Sequence, residues 1–262
     1  MRRDQLTSIE SLIRDKSRGS LEIFEDALKI LSSSSDPCGD ATRLTRAHPE
    51  MSALEHLRRA ACSGSLDRLR EFYSSSKEEL ARTCSELLSD MGVEVVATLS
   101  RSSAVLNCLR RSEVSSVMIS ESRPGLEGVR VAEILRDEGF SVTLVVDALL
   151  PWYALKMNAT GLVGADRVTE KYLINKAGTL PLATLVRTLA VPSLLKLHRG
   201  GYRLEEKPPD EIATLEGVKV VNIYFDETPL ERLDRIVFEG LVLRPNEIDK
   251  AFRRLSEILE GK

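Results

Sequence analysis

The stretch VEVVATLSRSSAVLNCLRRSEVSSVMISES, residues 93–122, decides the fold class. It contains two short runs rich in β-branched residues, VEVVATLS and VSSVMISES, separated by the amphipathic segment SSAVLNCLRR. Strands that are almost continuously apolar and that alternate with helices are typical of a parallel sheet covered on both faces. The stretch therefore predicts an α/β fold of Rossmann-like type with a mostly parallel sheet.

The same alternation continues towards the C-terminus, and apolar periodicity locates the further elements. No G-x-G-x-x-G motif accompanies them, so the dinucleotide-binding form of this fold is not supported. The pattern predicts strands over 141–149, 159–168, 192–199 and 218–226, and helices over 127–139, 180–190, 229–240 and 245–262.

The first ninety residues show helical periodicity and no β-rich run. Helices are predicted over 6–15, 20–31, 51–61 and 66–92, whereas the serine-rich segment 32–43 reads as a loop. We therefore predict a helical N-terminal domain, 1–90, followed by a Rossmann-like domain, 91–262, that carries the ligand site and an oligomer interface.

Composition narrows the class of partner. The 37 basic and 40 acidic residues leave a net charge of −3, which gives no general attraction to nucleic acid or to an anionic membrane. No apolar run reaches the roughly 18 residues of a membrane span, and the charged N-terminus has no signal core, so a cytoplasmic protein is expected. A single glutamine and 29% charged residues fit a thermophile.

The four cysteines, Cys38, Cys62, Cys84 and Cys108, form no C-x-x-C pair, and three histidines accompany them. In a cytoplasmic protein such cysteines are by default reduced thiols. We expect reduced structural cysteines, no metal site and no cofactor.

Polar residues follow the predicted strands. In an open parallel sheet, ligands bind outside the carboxyl ends of the strands, and these ends are followed by residues 98–103, 120–128, 147–151, 164–167 and 198–203. The serines of the first loop, Ser102 among them, either receive a phosphate at the next helix or simply cap that helix. Arg123, Lys176 and Arg203 either bind the anion or form surface ion pairs.

Asp166 follows a predicted buried strand. An aspartate at such a place either turns the chain or, if partly desolvated, has a pKa raised towards the range of a proton donor. Both interpretations stay open on the sequence alone.

The segments ESRPGLEG, VTLVVDALLP, VGADRV and NKAGTLPLA, followed by GYRL and FDETPLERLDRIV, closely resemble one superfamily. It joins methylthioribose-1-phosphate isomerase and ribose-1,5-bisphosphate isomerase with the alpha, beta and delta subunits of translation initiation factor 2B. The resemblance implies a helical N-terminal domain, a Rossmann-like C-terminal domain, and homodimers or homohexamers built through the latter.

The resemblance also implies site residues. In the isomerases an Arg-Gly motif, an arginine and an Asn-Lys pair hold the sugar phosphate, while a cysteine and an aspartate move protons. Carried over to this chain, the ligand positions are Arg18, Gly19, Ser20, Arg43, Asn175, Lys176 and Arg203, and the aspartate is Asp166.

Three positions depart from the isomerase pattern. Ser100 stands at the cysteine, Leu99 at the neighbouring histidine, and Glu127 at a glutamine beside the ligand. A serine hydroxyl is much harder to ionise than a thiol, whose pKa is about 8.5. The departures favour the translation-factor subunits, which keep the anion pocket without the thiol.

Three functions follow. The first is a non-catalytic, self-associating protein of the factor 2B alpha-subunit type that binds a phosphorylated sugar or nucleotide, with translation initiation factor 2 as a possible partner and no direct nucleic-acid binding. The alternative is an aldose–ketose isomerase in which Asp166 is the acid and Ser100 replaces the thiol. The third is a scaffold with an emptied pocket.

Overall fold

The structure is a computed structural model that describes residues 8–15, 20–48, 51–200 and 204–260. The chain forms two compact units. The first comprises residues 1–76, 194–197 and 250–262, and the second comprises residues 77–193 and 198–249. The boundary falls inside a long helix, whereas the sequence predicted a domain boundary after residue 90.

Helices build the first unit, as the periodicity predicted. Their buried faces include Leu12, Phe24, Leu44 and Leu57, each 0% exposed. The helices are α1 (Ile9–Arg14), α2 (Ser20–Leu31), α3 (Pro37–Ala47), α4 (Ser52–Ser63), α5 (Leu66–Asp90), which continues into the second unit, and α10 (Ile248–Glu260), which begins in the second unit.

The loop predicted over 32–43 is wrong in its second half, because α3 begins there. The Asp36 carboxylate accepts a hydrogen bond of 2.9 Å from the Gly39 N–H, and Pro37 occupies the first turn. Both features favour a helix start. The loop was predicted from the serine content, which does not take this capping signal into account.

The prediction of reduced cysteines is also wrong. Cys38 is bonded to Cys62, and Cys84 is bonded to Cys108. The helices bring the Cα atoms of the two pairs to 4.5 and 5.7 Å, within the range that a disulfide requires. Each unit therefore contains one disulfide, which the sequence spacing did not reveal.

The second unit contains a seven-stranded sheet in the order β10-β9-β7-β4-β1-β2-β3. All neighbours are parallel except the β9–β10 pair. The predicted fold class is thus confirmed. The strands are β1 (Val95–Thr98), β2 (Ser116–Ser120), β3 (Ser141–Val145), β4 (Thr160–Val163), β7 (Thr188–Ala190), β9 (Arg235–Phe238) and β10 (Leu241–Leu243).

Helices α6 (Ser103–Arg111) and α7 (Glu127–Asp137) connect β1 to β2 and β2 to β3, as predicted. The core of this unit packs Val96, Val117 and Leu162 of the sheet against Leu109 and Leu135 of these helices, all nearly fully buried. Two shorter helices are α8 (Leu150–Lys156) and α9 (Thr179–Leu185).

A separate three-stranded antiparallel sheet has the order β5-β6-β8. Its strands are β5 (Arg167–Val168), β6 (Tyr172–Lys176) and β8 (Phe225–Pro229).

Three predicted elements of the C-terminal half are wrong. The fifth strand of the parallel sheet is β7, which lies in the segment predicted as a helix, whereas residues 194–196 form a single 3-10 turn. Of the strand predicted over 218–226, only residues 225 and 226 lie in a strand, β8, and the helix predicted over 229–240 is replaced by β9. For β7 and β9, pairing with distant strands overrides the local apolar spacing.

Within the described ranges, no helix is long and apolar enough to cross a membrane. The same ranges contain no group of three His, Cys, Asp or Glu side chains placed to hold a metal ion.

Candidate functional site

The order of the parallel strands reverses between β1 and β4. Strands β2 and β3 lie on one side of this point and strands β7 and β9 on the other. Ligands of open α/β sheets bind at such a switch point, outside the carboxyl ends of the strands. At this edge Gly164 approaches Ser102 so closely that a Cβ atom would lie 2.4 Å from the serine Oγ. The chain after β4 therefore lies directly against the start of α6.

Ser100 lies at the sharp turn between β1 and α6. Its φ of 61° is unusual for a residue other than glycine, and such outliers are concentrated at functional sites. Its N–H donates to the Ser122 Oγ at 2.8 Å, and its own hydroxyl donates to the Glu127 Oε1 at 2.9 Å. The hydroxyl of Ser100 is thus held against a carboxylate.

The loop after β2 is anchored by a carboxylate from the end of β3. Asp147 accepts hydrogen bonds from the N–H groups of Ser122 at 2.8 Å and Arg123 at 2.7 Å. Ser122 has a φ of 63°, and the Arg123 side chain is exposed. Asp147 therefore fixes the backbone that in turn positions Ser100.

Glu127 is the first residue of α7, and the helix starts very close to the end of β2. A Cβ atom at Gly128 would lie 1.8 Å from the Ser120 carbonyl oxygen, so only glycine allows this approach. The Lys176 Nζ lies 2.9 Å from the Glu127 Oε1, the same oxygen that accepts the Ser100 hydroxyl. The side chains are 7% exposed for Lys176 and 24% for Glu127.

Ser100, Ser122, Glu127 and Lys176 define what we call the crevice. Lys176 comes from β6 of the small sheet, whereas the other three follow strands of the large sheet. The Lys176 Nζ also lies 5.0 Å from the centre of the Tyr224 ring, within the range of a cation–π contact. The small sheet thus contributes a buried cation to the edge of the large sheet, and Tyr224, just before β8, contributes an aromatic face.

Asn175, the neighbour of Lys176, is buried and bonded inside the protein. Its Nδ2 donates to the Thr179 Oγ1 at 2.9 Å, and that hydroxyl donates to the Lys176 carbonyl at 2.7 Å. These bonds hold the turn that follows β6. Asn175 therefore positions Lys176 in this structure.

Asp226 binds the start of α9. Its Oδ2 accepts from the N–H groups of Gly178 at 2.8 Å and Leu180 at 3.0 Å, and its Oδ1 accepts from the Thr228 hydroxyl at 2.9 Å. Burial raises the pKa of the Asp226 carboxyl, and these hydrogen bonds counteract part of the rise. The N–H groups at the start of a helix often bind phosphate, but at α9 they are bonded to the Asp226 carboxylate of the same chain.

Tyr224 is fixed from its other end. Its hydroxyl donates to Glu211, and this hydrogen bond, with burial and the charge of Glu211, raises the pKa of Tyr224 to about 12. The ring is therefore a neutral surface beside Lys176 at all physiological pH values.

Several predicted site residues have other surroundings. Ser102 caps α6, since its Oγ accepts from the Val105 N–H at 3.3 Å, as one of the two open interpretations expected. Arg43 forms ion pairs with Glu10 and Asp40 on the helical unit. Arg18, Gly19 and Arg203 lie outside the described residues, as does the side chain of Ser20, the first residue of α2.

Asp166 departs from the expectation of a desolvated acid. Its side chain is exposed, and its N–H donates to the Ile174 carbonyl at 2.9 Å. The buried strand ends at Val163, and the chain has already left the core when it reaches Asp166. Of the two interpretations that the sequence left open, the exposed carboxylate fits an aspartate that turns the chain and not a desolvated acid.

The crevice can bind an anion only in competition with Glu127, and it can donate or accept hydrogen bonds through Ser100. Sequence analysis missed Ser122, Asp226 and Tyr224 because their roles depend on pairing between distant segments. Ser122 lay within a polar strand-end loop, and this was the available signal for it.

Comparison with known proteins shows which family this chain resembles. The sequence pattern of the Initiation factor 2 subunit family (IF-2B) matches residues 38–245. A putative translation initiation factor eIF-2B subunit 2-like protein of Pyrococcus furiosus is 35% identical over 184 residues, which is 66% of either chain. A ribose 1,5-bisphosphate isomerase of Methanocaldococcus jannaschii is 32% identical over 142 residues, which is 48% of this chain and 46% of that protein.

Solved structures agree in fold. A crystal structure of translation initiation factor eIF-2B from Pyrococcus horikoshii has a TM-score of 0.73 and 22% identity, covering 94% of this chain and 99% of that one. A chain of the tetrameric eIF2B-beta2-delta2 complex from C. thermophilum has a TM-score of 0.67 and 14% identity, covering 96% of each chain.

Proposed function

This chain belongs to the Initiation factor 2 subunit family, and we propose that it is a non-catalytic, self-associating member that binds a phosphorylated sugar or nucleotide in the cytoplasm. The observation that carries the proposal is the buried Lys176, whose ammonium group is matched by Glu127 beside the Ser100 hydroxyl. A buried lysine is costly unless it is paired. The pairing with Glu127 offsets this cost, and the pair lies at the place where sheets of this type bind ligands.

The absence of a reactive thiol supports a binding role. Ser100 stands where the isomerase resemblance implies the cysteine, and both cysteines of this unit are bonded to each other. The Ser100 hydroxyl faces a carboxylate that is itself paired with Lys176, so it has no strong base. Such a group can hold a ligand hydroxyl but is poorly suited to abstract a proton from carbon.

Self-association is supported by an exposed apolar surface at the edge of the large sheet. Strand β3 is the edge strand, and it leads into α8. Edge strands and exposed apolar patches are typical of interaction sites. We call this surface the outer patch: Leu144, Val146, Leu149, Trp152, Leu155 and Met157, which are 38–55% exposed.

We expect the outer patch to pair with a second copy of this chain, giving a homodimer or a higher oligomer. Among the structural relatives, the eIF2B-beta2-delta2 complex is tetrameric. Translation initiation factor 2 is the further partner that family membership suggests.

A thermal-shift titration tests the ligand proposal. We expect methylthioribose 1-phosphate, ribose 1,5-bisphosphate or a nucleoside monophosphate to raise the melting temperature in proportion to the logarithm of its concentration. Lys176→Met should abolish the shift, whereas Lys171→Met, an exposed lysine at the start of the same segment, should not. No shift with any of these esters would overturn the proposal and favour a scaffold.

One observation favours an isomerase as a second candidate. Glu127 and Ser100 together place two oxygen atoms near the position implied for the missing thiol, and a carboxylate can move protons. In this candidate Asp166 is the acid, and Ser100 or a bound water replaces the thiolate.

Restoring the thiol separates the two candidates. If the isomerase candidate holds, Ser100→Cys should increase conversion of an aldose phosphate to its ketose, and Ser103→Cys, an exposed position three residues later, is the matched control. An assay for ketose formation measures the result. No turnover in the wild type or in Ser100→Cys, combined with ligand binding, supports the non-catalytic role.

A further inference from the structure

We infer that Glu127 makes the crevice selective for a ligand that carries one phosphate and free hydroxyl groups, and selective against a bisphosphate. The inference rests on the proposed function, because it names the class of phosphate ester that the same crevice accepts. Its basis is the position of one carboxylate oxygen, the Glu127 Oε1, which accepts the Ser100 hydroxyl and pairs with Lys176.

Glu127 already neutralises the buried cation of the crevice. The Lys176 ammonium and the Glu127 carboxylate lie 2.9 Å apart, and the lysine side chain is 7% exposed. An incoming phosphate must either displace the carboxylate or share the ammonium with it. In both cases Glu127 remains close to the bound anion, because α7 starts directly at the end of β2.

Other carboxylates surround the same edge of the sheet. Asp147 and Asp226 are held there by backbone N–H groups, so neither can turn away without losing two hydrogen bonds. Of the described arginines in the loops after β1, β2 and β4, Arg101 and Arg123 are exposed and Arg167 is buried. A single phosphate can use Lys176, whereas a second phosphate in the crevice would add negative charge beside Glu127, and like charges repel.

The groups that remain are suited to hydroxyls. An ionised carboxylate accepts hydrogen bonds at both oxygens, and the Glu127 Oε2 is available to do so on a side chain that is 24% exposed. The Ser100 hydroxyl can rotate to donate to or accept from a ligand. A vicinal diol, as in ribose, satisfies both groups at once, while the Tyr224 ring beside Lys176 provides a flat surface for the sugar.

Calorimetric titration of the full chain tests the inference. The proteins are the wild type, Glu127→Gln, and Glu133→Gln, which removes the same charge from an exposed position on the same helix. The ligands are ribose 5-phosphate, 2-deoxyribose 5-phosphate and ribose 1,5-bisphosphate. Circular dichroism establishes that each variant is folded.

We expect the wild type and Glu133→Gln to prefer ribose 5-phosphate over the bisphosphate by about tenfold or more, and Glu127→Gln to lose or reverse that preference. Removal of the 2-hydroxyl should weaken binding about fivefold in the wild type and little in Glu127→Gln. This pattern would support the inference.

Equal or tighter binding of the bisphosphate by the wild type, with no change in Glu127→Gln, would overturn the inference and leave the proposed function standing. If no ester binds to any of the three proteins, this inference fails, and the proposed function fails too if the thermal-shift titration with nucleoside monophosphates is also negative.

Discussion

The crevice and the outer patch differ in which groups they expose to solvent. In the crevice polar groups are buried and paired, since Lys176 contacts Glu127 and Ser100 donates to the same carboxylate. In the outer patch large apolar groups are exposed, with Trp152 and Leu155 each 52% accessible. The single chain therefore satisfies the polar groups of the crevice internally and leaves the apolar groups of the outer patch uncovered.

This difference means that a ligand in the crevice and a partner on the outer patch meet different requirements. The polar groups of the crevice are paired without a ligand. A ligand must therefore displace internal contacts, and this cost lowers its affinity. An apolar surface has no internal substitute, and only a second surface can remove it from water. We therefore expect ligand binding and self-association to respond to different substitutions.

The largest effect is expected when the ion pair of the crevice is removed. Lys176→Met removes the ammonium and leaves Glu127 partly buried without its counter-charge, which should lower the free energy of unfolding by about 3 kcal/mol. Urea denaturation measures it. The figure is at the lower end of the range for buried pairs because Glu127 is 24% exposed.

Lys171→Met is the control for this experiment, since it removes the same charge from an exposed side chain. If the two variants were equally stable, the crevice pair would contribute no more than a surface contact, and the contrast with the outer patch would disappear.

A smaller effect is expected when the outer patch is trimmed. Trp152→Ala combined with Leu155→Ala should weaken self-association by about 2 kcal/mol, or roughly 30-fold, because large apolar anchors dominate such interfaces. Folding stability should change little, since both side chains are half exposed in the single chain. Sedimentation equilibrium measures the association.

Val242→Ala, at an exposed apolar position on the opposite edge strand β10, is the matched control. A wild type that stays monomeric at high concentration would contradict the role given to the outer patch.

The smallest expected effect is a pH dependence of the free energy of unfolding that comes from Asp226. Burial raises the pKa of Asp226, so the folded chain holds this proton more tightly than the unfolded chain does. The stabilisation is complete below the unfolded pKa of about 3.9 and is lost as the pH rises through the higher folded value. Asp226→Asn lacks this dependence.

The difference in unfolding free energy between wild type and Asp226→Asn should therefore shift against the wild type as the pH rises through that window, and be constant above it. Denaturation curves at several pH values measure this difference, with Asp210→Asn at an exposed site as control. A difference independent of pH would show that the carboxyl is not perturbed.

Elements with strong local signals could be predicted from sequence. The periodic helices α2 and α5 and the β-branched strands β1 to β4 follow the expected ranges. Elements defined by distant partners could not. Strand β7 has three residues inside an apolar run with helical spacing, and only its pairing with β4 and β9 makes it a strand.

The site follows the same division. The rule that ligands bind at strand ends directs attention to Ser100 and Glu127. It does not reveal that a second sheet brings Lys176 to them, or that Asp226 binds amides 48 and 46 residues earlier in the chain. These contacts depend on the packing of two sheets, which no local pattern encodes.

The left-handed backbone of Ser100 has a consequence for protein engineering. A φ of 61° tolerates glycine, asparagine and small unbranched side chains, but it is strained for a β-branched residue. In a library randomised at this codon, threonine should therefore be depleted although its hydroxyl is the same chemical group, while cysteine and glycine should survive selection for folded protein. The geometry of the turn, rather than the reactivity of the side chain, sets which amino acids this position can sample.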